Sequence, residues 1–301
     1  MLSIMKENVE DLLRGNLWLA LPAELISTLI ITLLGCGAWS AGSIPLHVSL
    51  TFGLTTGTIV GIFHHISGGH ANPAVTIASL FTRKVSIIRG VLYIIAQTVG
   101  GIIGAGILYG LAPEAERVDL GANQLQPNVS SSQGFGVELL TTFLYVLTVH
   151  STQDEKRTDV QGSNPLTKGL AASVCHMFAI PYTRGGLNPA RSFGPAIILG
   201  EWKDHWVFWV GPLVGAILAG LLYEYVFSAG ATFAGVTKCL LTTKIPNTIP
   251  APEKAVIEEV RNEIVDIEES KVDETKPPEA AAPEADKQHA VVAEVNEQDK
   301  K

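Results

Sequence analysis

One short pattern occurs twice and governs what the chain can become: GGHANPAVT, with Asn72, Pro73 and Ala74, and GGLNPARSFGPA, with Asn188, Pro189 and Ala190. In each, a Gly pair precedes Asn-Pro-Ala, which leads into a short apolar run. Asn is a favoured helix N-cap, and Pro at the first helical position loses no hydrogen bond because that N–H has no intrahelical partner. Each pattern therefore reads as a helix start. The run after it is too short to cross a bilayer, which takes about 20 residues, so each is a half-helix. Such backbone survives at membrane depth only when it is buried in protein or lines a watery cavity. Two capped half-helices in corresponding halves of a chain mark a permeation site. The plainer alternative is that Asn72 and Asn188 only cap buried helices.

The rest of the chain suits that reading. With 47% hydrophobic and 17% charged residues and a mean hydropathy of +0.29, it is too oily for an ordinary soluble domain. Six long apolar runs stand out: Leu17–Gly37, Leu46–Phe63, Ile87–Leu111, Phe135–His150, Leu166–Ile180 and Trp206–Phe227. The half-helices, near Pro73–Leu80 and Pro189–Leu199, follow the second and fifth. The order is span, span, half-helix, span, twice over. An odd number of full spans per unit inserts the second copy upside down. The copies also match in detail: Glu24 precedes Asn72 by 48 residues and Glu138 precedes Asn188 by 50. The expected fold is an all-α membrane protein, six transmembrane helices plus two half-helices in an inverted repeat, with the half-helices meeting at mid-depth.

Charge divides the chain. Residues 251–301 hold 15 of the 29 acidic and 7 of the 21 basic side chains, so the net charge of −8 belongs to a tail and argues nothing about nucleic acid. We expect a cytoplasmic N-terminus over 1–16, a channel domain over 17–236 (repeats about 17–112 and 133–228) and a largely disordered acidic tail over 237–301. Within the tail, Lys254–Glu269 spaces Ile257, Val260, Ile264 and Ile267 as a short amphipathic helix would, a feature open to a cytoplasmic partner. Arg83, Lys84, Lys156, Arg157 and Lys168 fall in the connections after the second and fourth spans, against Arg117, Arg184 and Lys203 on the other side. The positive-inside rule then puts both termini in the cytoplasm, with the plasma membrane the expected location. The first run, without a cleavage pattern, reads as a retained span and not a signal peptide. Cys36, Cys175 and Cys239 imply no disulfide framework. Asn128-Val129-Ser130 is a glycosylation sequon in an outer loop. No His/Cys metal spacing or nucleophile elbow is present, so neither an enzyme nor a metal or cofactor site is expected.

The paired Asn-Pro-Ala boxes, the membrane glutamates and the six-span repeat resemble the aquaporin (major intrinsic protein) family over roughly residues 10 to 235. Finer spacing is similar to the water-selective branch. Phe52 lies 20 residues before Asn72, His176 lies 12 before Asn188, and Arg191 follows the second box. With Gly185, where several relatives carry Cys, they match the family's selectivity ring. Ser192, Ala196, Phe208 and Trp209 also look like the water type. Ala71 stands where many relatives have Leu or Ile. The resemblance implies water as permeant, a lipid-bilayer setting and a homotetramer with one pore per subunit.

The expected mechanism is passive water conduction down osmotic gradients. Each Asn oxygen caps its half-helix, leaving its amide N–H groups toward the lumen. The two half-helix ends, roughly +0.5 charge each, repel cations and hydronium. Arg191 adds a fixed charge, and Phe52 and His176 narrow the ring. Plainer readings stand beside these: Arg191 as a snorkelling residue, His176 as a core histidine, Phe52 as packing. Glu24 and Glu138 read as acceptors for loop N–H groups, with proton relay the rival, and His70 as support for its loop. Gly100, Gly101, Gly104, Gly211, Gly215 and Gly220 let spans approach closely. The nearest alternative function is a channel that also passes glycerol or urea, given Ala71 and Gly185. A coupled secondary transporter and a junctional protein are more distant ones.

Overall fold

The computed structural model describes residues 2–229 apart from 14, 40–42, 118, 160 and 161, together with residue 231. By its internal contacts the chain divides into residues 1–249 and 250–301. The acidic tail, its expected helix at 254–269 and Cys239 lie outside the described residues.

Nine α-helices are formed among the described residues: α1 (Leu2–Leu13), α2 (Gly15–Gly37), α3 (Pro45–Ser67), α4 (Pro73–Phe81), α5 (Ile87–Leu111), α6 (Ser131–Thr152), α7 (Asn164–Thr183), α8 (Pro189–Leu199) and α9 (Val207–Leu222), with no strand. Five helices are long and apolar enough to cross a membrane: α2, α3, α5, α6 and α9 with its continuation to Phe227. Helix α7, at 20 residues, has the length of a sixth. It is less apolar because Lys168, Ser173 and His176 are buried on it. The half-helices are α4 and α8.

Local signals set most helix ends. Ser86 caps α5 by accepting from Arg89 N, and Ser163 caps α7 by accepting from Leu166 N. Ser130 and Gln133 form a capping box that starts α6 four residues before the apolar run begins. Helix α1 is not announced by hydropathy. It is tied down by Asp11, which pairs with Arg89 at 2.5 Å and accepts from Ser86 Oγ at 2.5 Å.

The packing follows the inverted repeat. Helix α2 packs on α5 and, equivalently, α6 on α9, while α3 meets α7 between the halves. Each half-helix packs against the last span of the other repeat, α4 on α9 and α8 on α5. Large apolar side chains such as Trp18, Leu54, Phe178 and Val226 are exposed on the outside, while Glu24, Gln97, Glu138 and Arg191 are buried. That inside-out pattern suits a lipid surround.

Several spans touch backbone to backbone. A Cβ on Gly100 would meet Leu25 O at 2.2 Å, and one on Gly215 would meet Leu139 O at 2.2 Å. At the α3–α7 crossing, a Cβ on Gly53 would lie 1.8 Å from Ser173 Oγ and 2.4 Å from Gly169 O. Since backbone cannot turn aside, Gly53→Ala should cost about 1–3 kcal/mol by forcing the helices apart. Thermal unfolding in detergent should show a melting point lowered by several degrees.

Beyond α6, Asp154 accepts from Ala229 N at 2.8 Å, Tyr223 Oη at 3.1 Å and Lys156 N at 3.1 Å, joining the ends of α6 and α9. Partial burial opposes its charge, but these donors outweigh it and hold the carboxyl below its ordinary value. A depressed carboxyl stabilises the fold above its unfolded pKa of about 3.9, and that contribution is lost as pH falls through the folded value. Melting curves at pH 7 and pH 3 should therefore show an acid-induced loss that is smaller in Asp154→Asn.

One sequence expectation is corrected here. The positive-inside count places Lys168 in the connection after the fourth span, although it also falls within the run Leu166–Ile180. It lies instead in the second turn of α7 and is 1% exposed. The helix starts at its Ser163 cap, before the apolar run that marked it in the sequence.

Candidate functional site: a pore at the meeting of two half-helices

The chain enters each half-helix through left-handed backbone. Gly68 and Gly69 (φ 84° and 61°) lead to Ala71 (φ 50°), and Arg184 and Gly185 (φ 61° and 71°) lead to Leu187 (φ 54°). Asn72 and Asn188 are then extended, as a residue before Pro prefers. Asn72 Oδ1 accepts from Ala74 N at 2.8 Å, and Asn188 Oδ1 accepts from Ala190 N at 3.1 Å and Arg191 N at 3.3 Å. Pro73 and Pro189 occupy the first helical positions, and Ala74 and Ala190 are fully buried beside them.

The amide nitrogens are more engaged than the sequence implies. Asn72 Nδ2 donates to Leu187 O at 3.0 Å, and Asn188 Nδ2 donates to Ala71 O at 2.8 Å. Each box thus grips the residue just before the other box. One N–H of each amide is committed across the junction and one remains. The reciprocal bonds exist because the left-handed Ala71 and Leu187 turn their carbonyls toward the opposite asparagine.

Two buried carboxylates hold these loops in matching ways. Glu24 Oε1 accepts from Ser67 Oγ (2.6 Å) and His70 N (3.0 Å), and Oε2 accepts from Ala71 N (2.7 Å). Glu138 Oε1 accepts from Thr183 Oγ1 (2.6 Å) and Gly186 N (2.9 Å), and Oε2 accepts from Leu187 N (2.8 Å). Glu24 also receives Gln97 Nε2 at 2.7 Å. His70 is buried, its Nδ1 3.1 Å from Thr76 Oγ1 in the same half-helix.

On one side of the asparagines, Phe52, His176 and Arg191 converge. Phe52 and His176 stack with centroids 4.4 Å apart and planes 9° from parallel, and the Arg191 guanidinium carbon sits 4.8 Å from the Phe52 centroid. Phe52 has this place because Gly35 has no side chain; a Cβ there would lie 2.1 Å from the ring. His176 Nδ1 is 2.8 Å from Ala172 O, which must accept, so the proton is on Nδ1 and Nε2 is left without a partner among the described residues. Arg191 donates from Nη1 to Asn123 Oδ1 (2.7 Å) and from Nη2 to Gly121 O (2.8 Å), while its Nε has no partner among the described residues. Gly185 lies beside this ring, and a Cβ on it would meet His176 Cδ2 at 2.9 Å. The His176 imidazole is therefore packed against Gly185. Between these groups and the asparagines lies a cavity with about 20 Å³ open to water centres, lined also by Ala71 and Ile31. That is room for a water molecule, which needs roughly 10–15 Å³.

The sequence pattern of the Major intrinsic protein family matches residues 12–223. The chain belongs to the aquaporin (major intrinsic protein) family. It is 51% identical over 218 residues to Aquaporin-4 of Mus musculus, covering 70% of this chain and 68% of that protein. It is 41% identical over 249 residues to the lens fiber major intrinsic protein of Gallus gallus, covering 81% and 95%. Among solved structures, the aquaglyceroporin from Plasmodium falciparum matches with TM-score 0.63 at 23% identity, over 70% of this chain and 96% of that one, which shows a shared fold. The protein is a multi-pass membrane channel and not an enzyme.

Some residues of this channel carry no mark in the sequence. Asn123, in the loop before α6, ties Arg191 and Ser192 together, its Oδ1 accepting from Ser192 Oγ at 2.8 Å. Tyr93 donates to Ser67 O at 3.1 Å and accepts from Arg89 Nη1 at 3.1 Å, linking the Glu24 cluster to Asp11 of α1. Apart from Arg89 and Tyr93, neighbours on one helix, only the three-dimensional fold brings these pairs together. Asn128 is exposed with φ 70°, and Ser130 of its sequon is engaged as the α6 cap.

Proposed function

We propose that water crosses this channel in single file through the cavity between the two Asn-Pro-Ala boxes, driven only by osmotic gradients. The observation that carries the reading is the one-molecule cavity bounded by Asn72, Asn188, His176 and Arg191. A water arriving at the ring accepts from Arg191 Nε–H and donates to His176 Nε2, both buried and without a partner among the described residues. At the centre it accepts from the remaining N–H groups of Asn72 and Asn188. Both of its hydrogens then point away from the midpoint, and the hydrogen-bonded file along which a proton would hop is broken. The N-terminal ends of α4 and α8 add positive potential there, which a neutral dipole ignores and a cation does not.

In this reading Phe52, His176, Gly185 and Arg191 set the width of the ring. Glu24, Glu138 and His70 are supports that shape the loops. The channel domain spans 17–236 with both termini in the cytoplasm, the acidic tail at 237–301 is a cytoplasmic extension open to a partner, and Asn128 faces outside. A homotetramer in the plasma membrane, each subunit with its own pore, is the assembly that the family resemblance supports. Selectivity for water over glycerol and urea is tested by light scattering from vesicles holding the full chain. With an impermeant osmolyte they should shrink fast, and with glycerol they should stay shrunken. Quick reswelling in glycerol would mean that the ring admits larger neutral solutes.

A further inference from the structure

We infer that Lys168 is a second selectivity residue of the pore, a fixed positive charge that repels cations from the lumen at the end opposite the Arg191 ring. The inference rests on the water-channel reading above. Its starting point is the placement of Lys168 within α7, 1% exposed. Lys168, Ala172 and His176 are spaced four apart, one ridge of the helix. Ala172 and His176 both line the cavity, so the ridge continues toward the mouth with Lys168. At 1.5 Å per residue, the lysine backbone lies ~12 Å along the axis from that of His176.

The surroundings of Lys168 fit a lumen charge and not a structural ion pair. No hydrogen bond or salt bridge ties it to another described residue. The charge that acts on it is another cation, Lys84, which itself pairs with Glu224 at 3.2 Å. In turn Lys168 acts electrostatically on His70, a residue lining the cavity, and on His64 and His150. A buried ammonium without a counter-ion is costly unless water or an anion solvates it, and the watery lumen at the end of its own ridge supplies that. The pore then carries positive charge at three depths: Arg191, the paired half-helix ends, and Lys168. At an effective dielectric constant of 20 and a distance of ~8 Å, one unit charge changes cation occupancy by roughly thirtyfold.

The test is cation leak in reconstituted full-length protein, each leak divided by the water permeability of the same vesicles. Arg191→Ala alone should leak little potassium, because Lys168 still opposes it. Arg191→Ala with Lys168→Gln should leak at least tenfold more, and Arg191→Ala with Lys168→Arg should return to the low level. Should the Gln variant fail to fold, Arg191→Ala with Lys168→Met is the substitute. Independently of either, covering the mouth by raising salt should narrow the gap between charged and uncharged forms. Equal potassium leak per water whether residue 168 is Lys, Arg, Gln or Met would overturn the inference. Absence of water permeability in the unmodified protein would instead refute the channel reading on which it rests.

Discussion

Replacing Glu138 with alanine should cost the channel most of its folded population. The carboxylate accepts from Thr183 Oγ1, Gly186 N and Leu187 N, all buried at the entry to α8. Removing it leaves the Gly186 and Leu187 N–H groups without an acceptor where lipid and packed helices admit no bulk water, while the Thr183 hydroxyl keeps Ala179 O at 3.2 Å. At roughly 1–3 kcal/mol per orphaned buried donor, the loss is on the order of 2–6 kcal/mol. That is a large part of the whole stability of a typical domain. Glu138→Gln should be milder. It keeps one acceptor oxygen but turns an NH2 group toward donors on the other side. Size-exclusion yield and apparent melting temperature in detergent read the effect, with the order native, Gln, Ala. A native-like melt for the alanine variant would mean that the loop holds its shape without the carboxylate. Glu24→Ala should behave alike, since Ser67, His70 and Ala71 repeat the arrangement.

Replacing Arg191 with alanine should leave a folded channel that has lost discrimination. The guanidinium is 1% exposed, held by Asn123 and Gly121 and set against Phe52. Its loss empties the volume beside the one-water cavity and removes a unit charge. At ~5 Å and an effective dielectric constant of 20, that charge opposes a cation by about 3 kcal/mol, on the order of a hundredfold. The expected result is faster urea and glycerol entry at a water permeability no lower than native, with the cation barrier then resting on the half-helix ends and Lys168. Vesicle swelling with each solute measures the first effect. Unchanged urea exclusion would show that Phe52 and His176 suffice to set the width.

How far the sequence revealed this follows from where each signal resides. The half-helices could be read because Asn, Pro and Ala are local instructions: an N-cap, a fixed φ and a compact start. Helix α8 accordingly runs Pro189–Leu199, as the residues suggest. The spans α6 and α7 were read short because their first turns are polar, and hydropathy misses a turn whose start is written in caps at Ser130 and Ser163. Asn123, Gln97 and Tyr93 were hidden for another reason. Each acts on a partner at least 21 residues away in the chain, and no periodicity marks such a pairing. Lys168 falls within the run Leu166–Ile180, but nothing in its residue type says that its charge is buried there.

The most direct test of single-file water passage is water and proton flux measured together in vesicles of the full chain. Osmotic shrinkage should be rapid, with a temperature dependence close to that of water diffusion, while an imposed pH gradient decays no faster than in empty vesicles. Proton flux rising in step with water flux would contradict the broken hydrogen-bond file at Asn72 and Asn188. Shrinkage no faster than that of bare lipid would contradict the pore itself.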